Sequence, residues 1–261
     1  MKAKKSFGQN WLRDDYVLDE IVKSAEIAEN DTVLEVGPGL GTLTQKLIAT
    51  DADIIAVEAD KDLLPRLGNM FQGKKNFELI NDDILKFDLS GLSEGYRVVA
   101  NIPYYLTSNL LRRLLESNNP PSIMVLLVQK EVAQRIMAGP GQMSVLAFSV
   151  QYYATPEYIM DVKKELFDPV PKVDSAVIKI IRGQKPAFEA DTKRLFRLVK
   201  AGFGEKRKML RNSISGGLGI EASTVENLLE SCKLKPTARA QELSLGDWQR
   251  LYSRAIDIGI I

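Results

Sequence analysis

The sequence predicts an α/β protein: a mostly parallel, doubly wound sheet followed by a small helical domain. Three observations carry this. Short apolar runs rich in β-branched residues alternate with segments of helical spacing over the first two thirds of the chain. A glycine-rich turn, Gly37-Pro38-Gly39-Leu40-Gly41, joins the first such run directly to a helical pattern. After a polar linker over 182–191, "RGQKPAFEAD", the remaining segments are helical in pattern.

Taken in order, residues 14–28 place Val17, Ile21 and Val22 on one side of an amphipathic helix. "DTVLEV" (31–36) is a short strand, and "LGTLTQKLIA" (40–49) opens a helix after the glycine turn. "ADIIAVE" (52–58) is the next strand, and "KDLLPRLGNMF" (61–71) is a helix with Pro65 near its first turn. "FELINDD" (77–83) and "YRVVAN" (96–101) are strands. "TSNLLRRLLES" (107–117) is a helix, with Thr107 or Ser108 as its N-cap. "SIMVLLV" (122–128) is a buried strand and "QKEVAQRIMA" (129–138) a helix. "VLAFSVQYYA" (145–154) and "DSAVIKII" (174–181) read as strands lying close together, which gives the sheet an antiparallel end. "TKRLFRLVKAGF", "STVENLLESC" and "LGDWQRLYSRAI" are helical. The expected domains are 1–183 and 184–261. Right-handed crossovers put the strand ends, and the turns after them, along one edge of the sheet.

Composition narrows the chemistry. Of 261 residues 45% are hydrophobic, enough for a core, and none is histidine. This excludes histidine general bases, Ser-His-Asp triads and histidine metal sites. Cys232 is the only cysteine, so no internal disulfide and no zinc site is expected, and a reducing cytoplasm fits. No apolar run approaches the roughly 18 residues of a membrane helix. The basic start, "MKAKKSFGQNWL", lacks the apolar stretch of a secretion signal. Residues 183–261 carry 14 Lys and Arg against 9 Asp and Glu, while 1–182 carry 21 against 25. That asymmetry suits a polyanionic partner, although a solvated helical surface explains it equally well.

Gly37, Gly39 and Gly41 let the backbone pass close to a ligand and take positive φ. Taken alone, such a turn is weak evidence. Two acids strengthen it. Glu58 ends the second strand, where a carboxylate accepts the hydroxyls of a ribose. Asp83 follows the third strand, placed to accept from the exocyclic amine of an adenine. A nicotinamide dinucleotide and S-adenosylmethionine both fit this pattern. "NIPY" (101–104) decides between them. An adenine amine is a poor nucleophile because its lone pair is delocalised into the ring. If the Asn101 side-chain oxygen and a backbone carbonyl stiffened by Pro103, that of Ile102, accept its two N–H bonds, the lone pair turns outward toward a methyl donor. Tyr104 offers a stacking face worth about 1–3 kcal/mol per base. Positioning carries the rest of the catalysis, and no histidine is needed.

Eight stretches together resemble the bacterial small-subunit ribosomal RNA adenine dimethyltransferases of the KsgA type. They are "FGQNWL" (7–12), "EVGPGLGTLT" (35–44), "VEAD" (57–60), "NDDIL" (81–85), "NIPYYLTS" (101–108), "LLVQKEVAQRI" (126–136), "VPKVDSAVI" (170–178) and "RKMLRNSI" (207–214). The resemblance implies a Rossmann-like S-adenosylmethionine-binding sheet with a C-terminal helical domain. It implies N6,N6-dimethylation of two adjacent adenosines in the 3′-terminal hairpin of small-subunit ribosomal RNA, within a pre-assembled subunit, by a cytoplasmic and monomeric enzyme. Carried over by residue, Asn10, Leu12, Gly37, Gly39, Glu58, Asp83 and Asn101 would hold the cofactor. Asn101, Ile102, Pro103 and Tyr104 would hold the target base, with Phe167 closing the other side of its ring. From the sequence pattern alone, Phe167 reads as a core aromatic. Lys206, Arg207, Lys208 and Arg211 would face RNA phosphates. Trp11 stands where phenylalanine is usual. Two rivals are a large-subunit adenine methyltransferase of the antibiotic-resistance type, which shares "NIPY", and a non-catalytic RNA-binding assembly factor.

Overall fold

A computed structural model describes Lys4, residues 9–205 and residues 207–261. It divides into two compact units, 1–134 with 155–183 and 135–154 with 184–261. A single cut at 183/184 misses one exchange: residues 135–154 pack with the C-terminal helices.

In the first unit, among the described residues, a seven-stranded sheet runs in the order β4-β3-β2-β5-β6-β9-β7. These are β2 (Thr32–Val36), β3 (Asp53–Glu58), β4 (Phe77–Asn81), β5 (Arg97–Asn101), β6 (Ile123–Gln129), β7 (Ala154–Val162) and β9 (Ser175–Arg182). β2 through β6 are mutually parallel where they pair, and β9 runs antiparallel to β6. A short ladder pairs β1 (Trp11–Leu12) with β8 (Phe167–Asp168), antiparallel. The central strands read as unbroken apolar runs because helices cover both faces. α1 (Asp15–Ser24), α2 (Thr42–Ile48), α3 (Leu64–Met70), α4 (Thr107–Leu115) and the start of α5 (Lys130–Met137) connect them. Asp14 caps α1 by accepting from the Val17 N–H at 2.9 Å. α4 has no side-chain cap; the Thr107 hydroxyl donates instead to the Tyr104 carbonyl at 3.2 Å. The core holds Ile21, Leu47, Leu67, Val125 and Val177, all essentially inaccessible to water.

The chain order reverses at β2. It steps outward from β2 to β3 and β4, then returns to place β5 on the other side of β2. In such sheets the crevice beyond the strand ends at the reversal is where ligands bind. The register puts Val36 opposite both Val57 and Ala100, so the next residues, Gly37, Glu58 and Asn101, stand at one level on that edge.

The second unit holds α6 (Val145–Tyr153), α7 (Thr192–Phe203), α8 (Leu210–Leu218), α9 (Ala222–Ser231) and α10 (Leu245–Asp257). Phe148 makes edge-on contacts with Phe196 and Trp248, and Tyr152 with Phe188, so an aromatic cluster forms this unit's core. Residues 145–154, expected as a strand, form α6, whose N-cap Ser144 accepts from the Ala147 N–H at 3.1 Å. Among the described residues no helix is long and apolar enough to cross a membrane, and no cluster of acids or cysteine could hold a metal.

Candidate active site

A cavity of about 350 Å³ lies at the reversal, walled by the glycine turn, Glu58, Asp83, Asn101 and the 102–106 segment. Its floor is the glycine turn. The Gly37 N–H donates to the Val57 carbonyl at 2.9 Å, which ties the turn to β3. Gly37 has φ +68 and open space where a Cβ would stand, leaving room for a ligand against the backbone. Gly39 has φ +59, and a Cβ there would come within 3.2 Å of the Trp11 ring, so this position admits glycine only at a cost.

Glu58 stitches the floor to the wall. One carboxylate oxygen accepts from the Gly39 N–H at 3.2 Å and the other from the Asp60 N–H at 2.8 Å. Burial pushes its pKa up, against those N–H groups, and the Asp60 charge adds to the rise. Each oxygen keeps a further lone pair for a ribose hydroxyl. Asp60 accepts from Lys4 Nζ at 2.6 Å and from Gln9 Nε2 at 2.9 Å, which draws the N-terminal segment onto β3. Those hydrogen bonds outweigh the effect of burial and hold the Asp60 pKa below its usual value. Asn10 and Leu12 thereby reach the cavity wall. Asp83 uses one oxygen to accept from the Leu85 N–H at 3.0 Å, an Asx turn, and no hydrogen bond to its other oxygen is found among the described residues.

On the acceptor side the Asn101 Nδ2 donates to the Asn10 carbonyl at 3.2 Å. A carbonyl cannot donate, so the amide nitrogen must face it and Oδ1 becomes the free end. Ile102 is buried. The Pro103 carbonyl accepts from the Leu106 N–H at 2.9 Å, while no hydrogen bond to the Ile102 carbonyl is found among the described residues. The Tyr104 hydroxyl and the Ser175 hydroxyl share a hydrogen bond of 2.8 Å, and Ser175 is wholly buried in β9. Burial raises the Tyr104 pKa against that bond. Tyr104 is therefore a neutral, anchored ring.

Three sequence expectations need comment. Phe167 is 3% exposed, sits opposite Leu12 in the β1–β8 ladder and belongs to the hydrophobic core rather than to the cavity wall. Its ladder partner Leu12 belongs to the same core and also lines the cavity. Lys206 lies outside the described residues. In the second unit Arg207 is exposed, Lys208 pairs with Glu205 at 2.6 Å and Arg211 with Glu226 at 2.9 Å.

Sequence reading missed Ser175 and Glu35. No local spacing rule links Ser175 to Tyr104, 71 residues away. Glu35 had a visible signal, an acid inside the apolar run "VLEV". It lies beside the cavity and is 1% exposed. Burial pushes its pKa up to about 8; the Thr44 hydroxyl opposes this and the Glu58 charge adds to it.

The model of the ribosomal RNA adenine dimethylase family matches residues 1–257. The chain is 42% identical over 255 residues to a ribosomal RNA small subunit methyltransferase A of Dehalococcoides mccartyi, covering 96% of this chain and 88% of that relative. It is 40% identical over 265 residues to the protein of that description from Nostoc sp., covering 96% and 97%. Among solved structures, a dimethyladenosine transferase from Plasmodium falciparum superposes with a TM-score of 0.79 at 26% identity, covering 95% of this chain and 98% of that one. The 23S rRNA methyltransferase ErmE superposes with a TM-score of 0.75 at 28% identity, covering 94% and 99%.

Proposed function

Because the chain belongs to the ribosomal RNA adenine dimethylase family, we infer that its cavity holds S-adenosylmethionine beside an unstacked adenine. The protein is an S-adenosylmethionine-dependent adenine dimethyltransferase of small-subunit ribosomal RNA, acting on N6 of two adjacent adenosines in the 3′-terminal hairpin. The cavity's chemistry fits the cofactor: a buried carboxylate for ribose hydroxyls, a second acid for the adenine amine, and open backbone at Gly37. Bound there, S-adenosylmethionine supplies the electrophilic methyl group.

The protein's own work is positional. Glu58, Asp83, Gly37, Gly39, Asn10 and Leu12 hold the donor. Asn101 Oδ1 and the Ile102 carbonyl accept the two N–H bonds of the target amine and turn its lone pair toward the donor. Pro103 stiffens that corner and Tyr104 supports the ring. Correct placement of reactants is worth roughly 7–11 kcal/mol, so no side-chain base is required, and the surplus proton leaves to water. The single observation carrying this reading is the Asn101 amide. Its nitrogen is committed to Asn10, which presents its oxygen as acceptor.

The finer substrate is RNA in a pre-assembled small subunit, met by a monomer in the cytoplasm, with Lys206, Arg207, Lys208 and Arg211 toward phosphates. The likeness to ErmE means that the fold does not separate small- from large-subunit substrates. The 40–42% identity to small-subunit enzymes over nearly the whole chain favours the former. The test is mass spectrometry of RNA from unmethylated small and large subunits incubated with the protein and labelled S-adenosylmethionine. Dimethyladenosine in small-subunit RNA supports the reading; predominant labelling of large-subunit RNA refutes it.

A further inference from the structure

Tyr104 and Tyr105 are consecutive on the 3-10 turn Tyr104–Leu106, and both line the cavity. Their states differ. Tyr104 is anchored through its hydroxyl to Ser175. Tyr105 is 65% exposed, and no hydrogen bond, ion pair or ring contact of its side chain is found among the described residues. A lone exposed aromatic is ordinary on a protein surface. Two more exposed apolar residues lie on the segment bonded to its neighbour Tyr104. The β8–β9 segment that delivers Ser175 to Tyr104 carries Val173, 45% exposed, two residues earlier, and Val170, 58% exposed. The two segments joined by the Tyr104–Ser175 hydrogen bond thus each carry exposed apolar side chains.

Successive residues of a 3-10 turn point about 120° apart, so Tyr105 presents its ring in a different direction from Tyr104. An adenosine drawn into the corner leaves its neighbour with one stacking face lost to water. The substrate is a pair of adenosines, each of which must occupy the corner in turn, so that neighbour is itself a target. Resting on the function given above, we propose that Tyr105 is the stacking platform for the adenosine adjacent to the one in the corner. It holds the second target while the first is methylated, and so sets how completely the pair is modified.

The test uses full-length protein, unmethylated small subunits and three variants. Tyr105→Ala and Tyr105→Leu should raise KM for subunits about tenfold, the low-to-middle range for loss of one stacked base. The affinity for S-adenosylmethionine, read by calorimetry, should stay at the wild-type value. Mass spectrometry of the RNA should show chains with one modified adenosine where wild type gives two. Tyr105→Phe should restore both readouts. Wild-type behaviour of Tyr105→Ala overturns the proposal. So does wild-type behaviour of Tyr105→Leu, which would make the side chain a mere apolar cover, and so does a loss of cofactor affinity in step with the KM change. If the wild-type protein itself leaves small-subunit RNA unlabelled, the functional reading falls and this inference with it.

Discussion

Glu35→Gln isolates one buried carboxyl and gives the sharpest test of the electrostatics described above. Glu35 has an ordinary carboxyl value of 4.5 to return to when the chain unfolds, against about 8 in the folded protein. A native value above the unfolded one means that the unfolded chain releases the proton first. The folded state is therefore fully favoured below pH 4.5, loses stability as pH rises toward 8, and changes no further above it. Each pH unit in that window costs about 1.4 kcal/mol, so from pH 5 to pH 7 the loss is roughly 2–3 kcal/mol. Glutamine has the same shape and no titration. Whatever constant offset its amide introduces, the difference between the two proteins must grow with that slope. The assay is urea unfolding from pH 5 to pH 8 in a Trp248→Phe background, where Trp11 reports on the first unit alone. The variant should become progressively more stable than its parent as pH rises. A difference that stays flat across the window would show that Glu35 is ionised like any surface carboxylate, and the account of its burial would be wrong.

The remaining predictions concern the site. Asn101→Ala should lower kcat about 100-fold or more at saturating S-adenosylmethionine, beyond any loss of cofactor affinity read by calorimetry; a variant that methylates at the wild-type rate removes the two-acceptor argument. Gly39→Ala forces a Cβ to within 3.2 Å of Trp11 at a φ of +59, and a strain of about 1–3 kcal/mol, if carried by the bound state, should appear as a cofactor Kd weaker by roughly 5- to 150-fold. Arg207→Ala with Lys208→Ala should weaken subunit binding similarly for any RNA sequence and flatten the salt dependence by about one to two charges' worth; an unchanged salt slope places the phosphate contacts elsewhere.

The fold was legible wherever period and burial agreed. β2, β3, β5 and β6 are mostly apolar because both faces of the sheet are covered, Glu35 being the exception within β2. α7 matches its predicted range residue for residue because its apolar stripe repeats at helical spacing. Legibility failed where one element is buried all round or hardly at all. α6 has Ala147, Phe148, Val150, Tyr152 and Tyr153 buried, so no polar face interrupts it and its β-branched and aromatic content reads as a strand. Ser144, with an N-cap's chemistry, was the overlooked cue. β7 failed for the opposite reason. It stands last in the sheet order, buried only at its two ends, and carries Pro156, which edge strands tolerate. α8 was hidden by Gly216 and Gly217, poor helix formers. A Cβ at Gly217 would come within 2.7 Å of Ala201, so close approach to α7 outweighs helix propensity there.

The site divides along a different line. Residues that end strands were readable, because the topology of a doubly wound sheet converts position in sequence into position in space. Glu58 and Asn101 end β3 and β5, Gly37 follows the end of β2, and the register sets the three at one level. What holds those residues in their working orientation was not readable. The Asn101 amide is turned by a carbonyl 91 residues earlier, and the Tyr104 hydroxyl is held by a serine 71 residues later. These are single long-range hydrogen bonds with no periodicity to announce them. They also decide the chemistry: an Asn101 free to rotate would present its N–H groups to the adenine amine as often as its oxygen, and donors there would tie up the lone pair that must attack. The step from a binding crevice to a methyl-accepting corner therefore rests on the Asn10 carbonyl, a backbone atom whose side chain says nothing of its role.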